Sequence, residues 1–538
     1  MTSLAQLLKS ITQPALVVVV GVTLLAGSVG LMPPADLLPS SGASGSRASR
    51  SSALPIGTAA AQKPNIVLIV ADDLGYGELS TYNKRVVQSP NIDQIGKDGV
   101  RCTNGYVTAP VCCPSRTGLL TGRYQQRFGF EFNIDGVTCV PPTKFPGIPV
   151  TETILPAYLK QAGYATGMVG KWHLGFQPEM HPVAKGFDEF NGFLHGSNLY
   201  IDPASEPGVE TIMHLGEQRT IEQWVEMNKK GERPMYNGTE KIAYPTQYLT
   251  DYFGDKAVSF IDKHQKEPFF LYLAFSAPHD PLIATKKYYD RYPNVKDRGQ
   301  RILAAMISAM DDNVGRVLAK LKEAKISDNT IVIFMSDNGC ATYTGACTSD
   351  TLNGGKLTHF EGGFRVPFVM RFPNGLPQGL TYNNPISALD VVPTLAAAAG
   401  ITLPTDRVFD GVNLAPYLRG KNNGMPHDVL CWRNAYFKTI RKGNWKLYVS
   451  EDPGTDVINP GSDKAAPQMR GVKQNFVYLF DLSKDAAERT NLAEKNPQIV
   501  DDLRKTYLQW EAQMEAPRWN SRWSIYQVFN GKPYKLPV

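Results

Sequence analysis

PNIVLIVADDLGYG, running from Pro64 to Gly77, decides the fold. Asn65 to Val70 is apolar after its first residue, which is the composition of a β-strand buried on both faces. It runs almost straight into two carboxylates, Asp72 and Asp73, before a Leu-Gly turn. The same arrangement recurs down the chain. Ala165 to Val169 is followed by Gly170, Lys171 and His173; Phe269 to Phe275 (FFLYLAF) by Pro278-His279; and Thr330 to Met335 (TIVIFM) by Ser336, Asp337, Asn338 and Gly339. Longer amphipathic segments separate these runs, so the fold class is α/β, a large mainly parallel sheet sandwiched by helices. In such sheets ligands bind beyond the carboxyl ends of the strands, and the four polar groups are expected to converge on one cleft. Taken singly, each could be an ordinary turn or cap.

Two helices are predicted from periodicity. Glu152 to Ala162 carries Ile154, Leu155, Tyr158 and Leu159 on one side; Arg301 to Ala324 carries Leu303, Met306, Ile307, Met310, Val314, Val317 and Leu321 at helical spacing, its methionines acting as core filler. Near the C-terminus, Tyr436 to Val449 and Phe476 to Leu482 alternate as antiparallel strands do, and Pro497 to Met514 suggests a closing helix. This is a smaller C-terminal antiparallel sheet with a packing helix. Trp432, Trp445, Trp510, Trp519 and Trp523 read as aromatic core, with a sugar-stacking surface as the alternative.

A chain of 538 residues exceeds one small core, and a large domain with a smaller one attached is expected. The formal charge of +6 is spread rather than blocked, which indicates no nucleic-acid footprint and only a mild attraction for anions. After Lys9, the stretch Ala15 to Met32 holds no charge and suits a secretory signal or, at the lower edge of spanning length, a membrane anchor. Ser40 to Ala61 is rich in Ser, Gly and Ala and reads as a linker. The expected layout is 1–35 signal or anchor, 36–62 linker, 63–425 catalytic domain and 426–538 C-terminal subdomain, in a protein exported from the cytoplasm. Seven cysteines there invite disulfides and leave one over. Cys340 and Cys347 bracket a short loop and could pair; Cys102, Cys113, Cys139 and Cys431 could supply other pairs.

Chemistry sorts the strand-end residues. Asp72, Asp73, Asp337 and Asn338 form an all-oxygen ligand set suited to Ca²⁺ or Mg²⁺, whereas zinc would want more nitrogen or sulfur. His173 and His279 are left for proton transfer, and Lys171, Arg116 and Lys356 supply positive charge for an anionic ester. On its own the glycine-rich segment around Lys356 would read as a flexible surface loop. His195 and His359 could line the substrate pocket, although single histidines near glycines are more often structural.

One stretch remains, VCCPSRTGLLTGRY from Val111 to Tyr124. Pro114 fits the first turn of a helix that Ser115 to Leu120 can continue, placing Cys112 just ahead of a helix N-terminus. A soft sulfur is a poor partner for a hard, oxygen-ligated cation.

Cys112-Cys113-Pro114-Ser115-Arg116 followed by Leu120-Thr121-Gly122-Arg123 resembles the C-x-P-S-R-x-x-x-L-T-G-R signature of the type I, formylglycine-dependent sulfatases of the alkaline phosphatase superfamily. The resemblance covers nearly the whole chain after Lys63, through GKWHLG, APHDP, SDNG and GGKLTHFEGG. It implies that a separate maturation enzyme oxidises Cys112 to formylglycine, whose hydrated aldehyde is an oxygen nucleophile able to ligate the metal. It implies Ca²⁺ held by Asp72, Asp73, Asp337, Asn338 and the modified Cys112. Asp337 would take a proton from the attacking gem-diol, Arg116 would steady it, and Lys171 would contact hydrate and sulfate. His279 and Lys356 would assist departure of the alcohol, and His173 would then expel sulfate. Cys113 holds the variable position, where disulfide pairing or burial is expected. The implied function is hydrolysis of a sulfate ester, on a sulfated carbohydrate or an aryl sulfate. Two other readings stand: a phosphonate monoester or phosphodiester hydrolase with the same signature, and a silent glycan-binding protein in which Cys112 is never oxidised. Substrate identity is expected to depend on the C-terminal part and on the insert from Pro207 to Pro245.

Overall fold

The computed structural model describes residues 62–83, 86–134, 146–213, 219–347, 349, 351–454, 473–519, 521 and 524–537. The apolar N-terminal run, the linker, Cys139 and Trp523 lie outside the described residues. Among the described residues no helix is long and apolar enough to cross a membrane.

In chain order the first strands are β1 Asn65–Ala71, β2 Val100–Tyr106, β3 Ala165–Lys171, β4 Glu189–Phe193, β5 Glu210–Ile212, β6 Met235–Asn237 and β7 Glu240–Ile242. They are followed by β8 Phe269–Ala274, β9 Leu282–Ala284, β10 Thr330–Ser336, β11 Arg365–Arg371, β12 Leu380–Tyr382 and β13 Ile386–Ser387. All but β5 and β9, which pair with each other, join one sheet in the order β12-β2-β11-β10-β1-β8-β3-β4-β6-β7, with β13 also on β2. Its centre, β10, β1, β8, β3 and β4, is parallel throughout. Strand β11 is antiparallel to both neighbours, and the insert adds β6 and β7 antiparallel at the far edge.

Strand β1 shows why this arrangement is stable. Ile66, Leu68 and Val70 enter one core with Leu119, Leu120, Leu155 and Leu395, while Val67 and Ile69 enter the opposite core with Phe253, Ile261, Met306 and Met310. Each such buried side chain contributes roughly 1.5–3 kcal/mol. A one-residue slip would draw Asp72 into this apolar interior, so the register places the carboxylates at the sheet edge. The interior is also tight: Gly170 has a φ of +113°, and a Cβ there would lie 1.9 Å from the Ala274 carbonyl oxygen.

Helix ends differ from the periodicity reading for local reasons. The long helix is Arg298–Glu323, beginning earlier because Asp297 caps it by accepting from the Gln300 N–H at 2.8 Å. The helix expected from Glu152 begins instead at Leu155, with Ile154 extended and Pro156 in the first turn. Cys112 is not ahead of its helix but is the first residue of Cys112–Thr121, with Val111 extended before it.

The C-terminal sheet is β14 Val429–Asn434, β15 Phe437–Lys442, β16 Trp445–Glu451 and β17 Asn475–Asp481, antiparallel in that order. One face packs on the helix Pro497–Glu511 through Val500, Leu503 and Tyr507. The other face, with Phe437, Tyr448 and Phe480, packs on Leu357 and Phe360. Trp432 and Trp519 are buried, and Trp432 donates to the Val107 carbonyl at 2.7 Å, so for these two the aromatic-core reading holds. The segment expected to be a surface loop is therefore clamped, and Lys356 is only 4% exposed.

The clamp is ionic as well as apolar. The fully buried Lys446 ammonium lies 3.0 Å from Glu361 and 2.8 Å from Glu488, and Glu488 also accepts from the Glu361 backbone N–H at 2.6 Å. Burial pushes Glu488 up to about 7. Burial acts the same way on Glu361, but Lys446, Arg441 and Arg365 outweigh it and hold that carboxyl below its ordinary range. Removing one partner of such a network leaves charge uncompensated, at a cost of about 3–5 kcal/mol. Lys446→Met is expected to lose stability on that scale in denaturant titrations, with activity falling along the same curve; unchanged stability would mean the network does not hold the loop.

Candidate active site

Three strand ends meet at the C-terminal edge of the sheet. The Asp337 N–H donates to the Ala71 carbonyl at 3.0 Å and the Asp72 N–H to the Ala277 carbonyl at 3.1 Å, tying the segments after β1, β8 and β10 together. Asp73 has a φ of 62°, His173 of 59° and Leu357 of 72°. Three non-glycine residues in the left-handed region around one cleft mark strain that the surrounding packing sustains.

The helix Cys112–Thr121 points its first turn into this cleft, and Gly122 ends it in the left-handed conformation. Arg116, one turn beyond Cys112, donates to Asp337 at 2.8 Å and to the Lys171 carbonyl at 3.2 Å. The Cys112 sulfur lies 3.5 Å from an Asp72 carboxylate oxygen. Burial pushes the Cys112 thiol far up, and Lys171 and Lys356 do not reverse it. As cysteine, this residue stays a protonated, weak nucleophile at neutral pH. Cys113 is buried and accepts from the Ile134 N–H at 3.4 Å.

Lys171, the last residue of β3, donates to Asp72 at 2.6 Å. Lys356 donates to Asp73 at 2.8 Å and lies 3.0 Å from His279 Nε2. Thus Asp72, Asp73 and Asp337 face Lys171, Lys356 and Arg116, three charges of each sign in a buried space. Burial alone would raise the Asp72 carboxyl, but Lys171, His279 and Arg116 hold it below the usual range. Burial raises the Asp337 carboxyl and the neighbouring Asp72 raises it further. Opposing its own burial, Asp72 holds the Lys171 ammonium above its usual value. Asn338 donates to Asp73 at 2.7 Å while its buried carbonyl oxygen has no hydrogen-bond partner. A buried amide oxygen left unpaired beside three carboxylates fits a cation ligand. Carboxylate, sulfur and imidazole atoms of Asp72, Asp73, Cys112 and His279 lie within 4.8 Å of one another, an arrangement consistent with metal binding.

The two histidines sit differently. His173 is buried, its Nε2 lies 3.1 Å from the Ile134 carbonyl, and burial with Lys171 and Arg116 holds it well below the ordinary histidine value. His279 lies at the rim, 3.5 Å from Asp73, its backbone fixed by the Tyr200 hydroxyl, which donates to the His279 carbonyl at 2.9 Å. His195 is half-buried against Phe176, and His359 is buried against Phe364 and Tyr448. Every residue expected at the site is brought to this cleft. Sequence reasoning missed Tyr200, Asp280 and Tyr343, though Asp280 adjoins His279 and Tyr343 lies in the Cys340–Cys347 loop, which a disulfide closes. A cavity of about 970 Å³ at the opposite, N-terminal ends of the strands, lined by Lys63, Asn329 and Met370, carries none of these groups.

The sulfatase family model matches residues 64–401. The chain belongs to the sulfatase family, within the alkaline phosphatase superfamily. It is similar to N-acetylgalactosamine-6-sulfatase of Sus scrofa, with 32% identity over 479 residues, 85% of this chain and 87% of that protein. It is also similar to arylsulfatase A of Bos taurus, 33% identical over 492 residues, 86% of this chain and 89% of the relative. Among solved structures, Ps i-CgsB in complex with k-i-k-neocarrahexaose superposes with a TM-score of 0.72 at 32% identity, covering 85% of this chain and 95% of that one. This sulfatase is a sulfuric ester hydrolase.

Gly196 supplies a test of the cleft's geometry. A Cβ at this position would lie 2.6 Å from His173 Cε1 and 2.7 Å from Nε2. Gly196→Ala must therefore displace the ring, and misplacement of about 1 Å can cost on the order of 10²-fold in rate. A loss of kcat of that size with unchanged thermal stability is expected; full activity would show that the ring's position is not critical.

Proposed function

We propose that this sulfatase removes sulfate from carbohydrate O-sulfates, using formylglycine at position 112 and Ca²⁺ as its metal. The carrying observation is the donor set: three buried carboxylates and an unpaired Asn338 carbonyl oxygen, with the residue-112 side chain 3.5 Å from Asp72. In the structure a thiol sulfur stands where the hydrate oxygen of formylglycine would stand. That exchange of soft for hard ligand suits an oxygen-bound divalent ion. Asp72, Asp73, Asp337 and Asn338 would hold the Ca²⁺, with the residue-112 hydrate as a further ligand. Bound there, the ion would supply positive charge against the sulfate oxygens and the nucleophile.

The chain's own residues divide the remaining work. Asp337 accepts the proton of the attacking hydroxyl as the new S–O bond forms, and Arg116 at 2.8 Å fixes its orientation. Lys171 binds the sulfate. As the S–O bond to the alcohol breaks, the leaving oxygen takes a proton from His279, with Lys356 beside it. His173, held neutral in its buried site, accepts the last hydroxyl proton, and the electrons of that bond restore the aldehyde as sulfate leaves. No water attacks sulfur directly.

The carbohydrate substrate is supported by the N-acetylgalactosamine-6-sulfatases among the relatives and by the neocarrahexaose bound to a neighbour of 32% identity. The rest of the proposal follows the layout read from sequence: 1–35 as export signal or anchor, 36–62 as linker, 63–425 as catalytic domain and 426–538 as the part that clamps it. A formylglycine-generating enzyme is the implied maturation partner.

Two measurements test this. Intact mass of the peptide carrying residue 112 is expected to show the aldehyde or its hydrate in active material, and Cys112→Ala to abolish turnover of sulfated sugars. Full activity with a retained thiol would sink the reading, and preferential turnover of phosphonate or phosphodiester analogues would redirect it. Separately, Ca²⁺ at about 100 times its Kd is expected to stabilise the fold by about 2.7 kcal/mol. Asn338→Leu should lose most of that stabilisation; an equal response in both proteins would remove Asn338 from the ligand set.

A further inference from the structure

The proposed proton donor His279 needs its ring held so that one nitrogen faces the leaving oxygen, and the cleft contains a device for this. His279 Nδ1 lies 2.5 Å from the Asp280 carbonyl oxygen. A carbonyl can only accept, so Nδ1 carries a hydrogen and Nε2 is the nitrogen turned toward Lys356 and Asp73. The Asp280 carboxylate lies 3.6 Å from the same Nδ1, and the residue is only 6% exposed. Its oxygen Oδ1 accepts from the Tyr343 hydroxyl at 3.2 Å. Tyr343 in turn stands on the loop closed by the Cys340–Cys347 disulfide, which begins just after Asp337-Asn338. The Cys340 carbonyl accepts from the Lys356 N–H at 2.8 Å, so the same loop also fixes the backbone of the lysine on the other side of the imidazole.

We infer that Asp280 and Tyr343 are positioning residues that orient His279 for protonation of the leaving alcohol, with the disulfide loop as their mount. The inference rests on the reading of His279 as proton donor. Tyr343 fixes the Asp280 carboxylate; Asp280 presents both carbonyl and carboxylate to Nδ1. The step starts from an imidazole protonated on both nitrogens: as the ester S–O bond breaks, the Nε2 hydrogen passes to the departing oxygen, leaving a neutral ring whose Nδ1 hydrogen still faces Asp280. Both residues would act through His279, so their effect depends on how badly the alcohol needs a proton. A nitrophenolate is stable as it leaves and needs little help; a sugar alkoxide is not.

The test compares 4-nitrophenyl sulfate with a sulfated monosaccharide in the holoenzyme and in Tyr343→Phe, which keeps the ring and removes only the hydroxyl. One lost hydrogen bond to a carboxylate corresponds to roughly tenfold in rate. The expected result is a loss of kcat of about tenfold on the sugar sulfate and less than about threefold on the nitrophenyl ester. Asp280→Asn should fall in the same direction and further. Equal losses on both substrates, or none on either, would overturn the inference. His279→Gln is the reference. If it discriminates between the substrates and Tyr343→Phe does not, the inference fails while the reading of His279 stands. If His279→Gln loses both substrates alike, the proton-donor reading fails and the inference with it.

Discussion

Three carboxylates, Asp72, Asp73 and Asp337, are buried side by side, and the rest of the structure is arranged to make that tolerable. Isolated in a protein interior they would repel one another and take up protons, since burial disfavours the charged form. Lys171, Lys356 and Arg116 balance them charge for charge within hydrogen-bond distance. A divalent cation would give the cluster a net positive charge, which suits a site that binds a sulfate ester and releases a sulfate dianion. The balance also gives the cations a double duty. In the proposed mechanism Lys171 and Lys356 would turn from a carboxylate to a substrate oxygen as the bound cation takes over at the aspartates.

Each cation reaches the cluster from a different direction, and this explains why a second sheet is needed. Lys171 arrives at the end of a strand and Arg116 on a helix, both rigid mounts. Lys356 arrives on a glycine-rich segment with no regular structure of its own. That segment is made rigid from outside, by Phe360 in the aromatic face of the C-terminal sheet, by His359 bonded to Thr439 at 2.9 Å, and by Glu361 paired with Lys446. The C-terminal part is thus a support for one catalytic-cleft side chain, whatever it also does for substrate choice.

The sheet and the strand-end residues were legible in the sequence because both follow from short-range rules. An apolar run must be buried, and a polar group directly after it must emerge at the sheet edge, so Asp72, Lys171, His279 and Asp337 could be placed without knowing the strand order. Helix starts were less legible. Asp297 and Pro156 act through single capping or turn geometries that periodicity does not weigh. The rigidity of the Lys356 loop was not legible at all, since glycines predict freedom and the constraint comes from residues 80 or more positions away, such as Thr439 and Lys446. Tyr343 was hidden for the same reason: its hydroxyl meets Asp280, which is 63 residues distant, and nothing local in the sequence announces it.

Two histidines sharing one cleft need different environments if one is to accept a proton and the other to donate. His173 lies beneath the cations, fully enclosed, its ring wedged against Gly196 and its nearest charges Lys171 and Arg116. All of these oppose an imidazolium and keep the ring neutral, the form that the base proposed for the last step requires. His279 lies at the rim with carboxylates on both sides, Asp73 at 3.5 Å from Nε2 and Asp280 at 3.6 Å from Nδ1. Its Nε2 also stands 3.0 Å from the Lys356 ammonium, and the ring is partly exposed at the rim. In the mechanism proposed above, position would then set the order of the steps: the proposed proton donor stands at the partly exposed rim, and the proposed closing base sits deep.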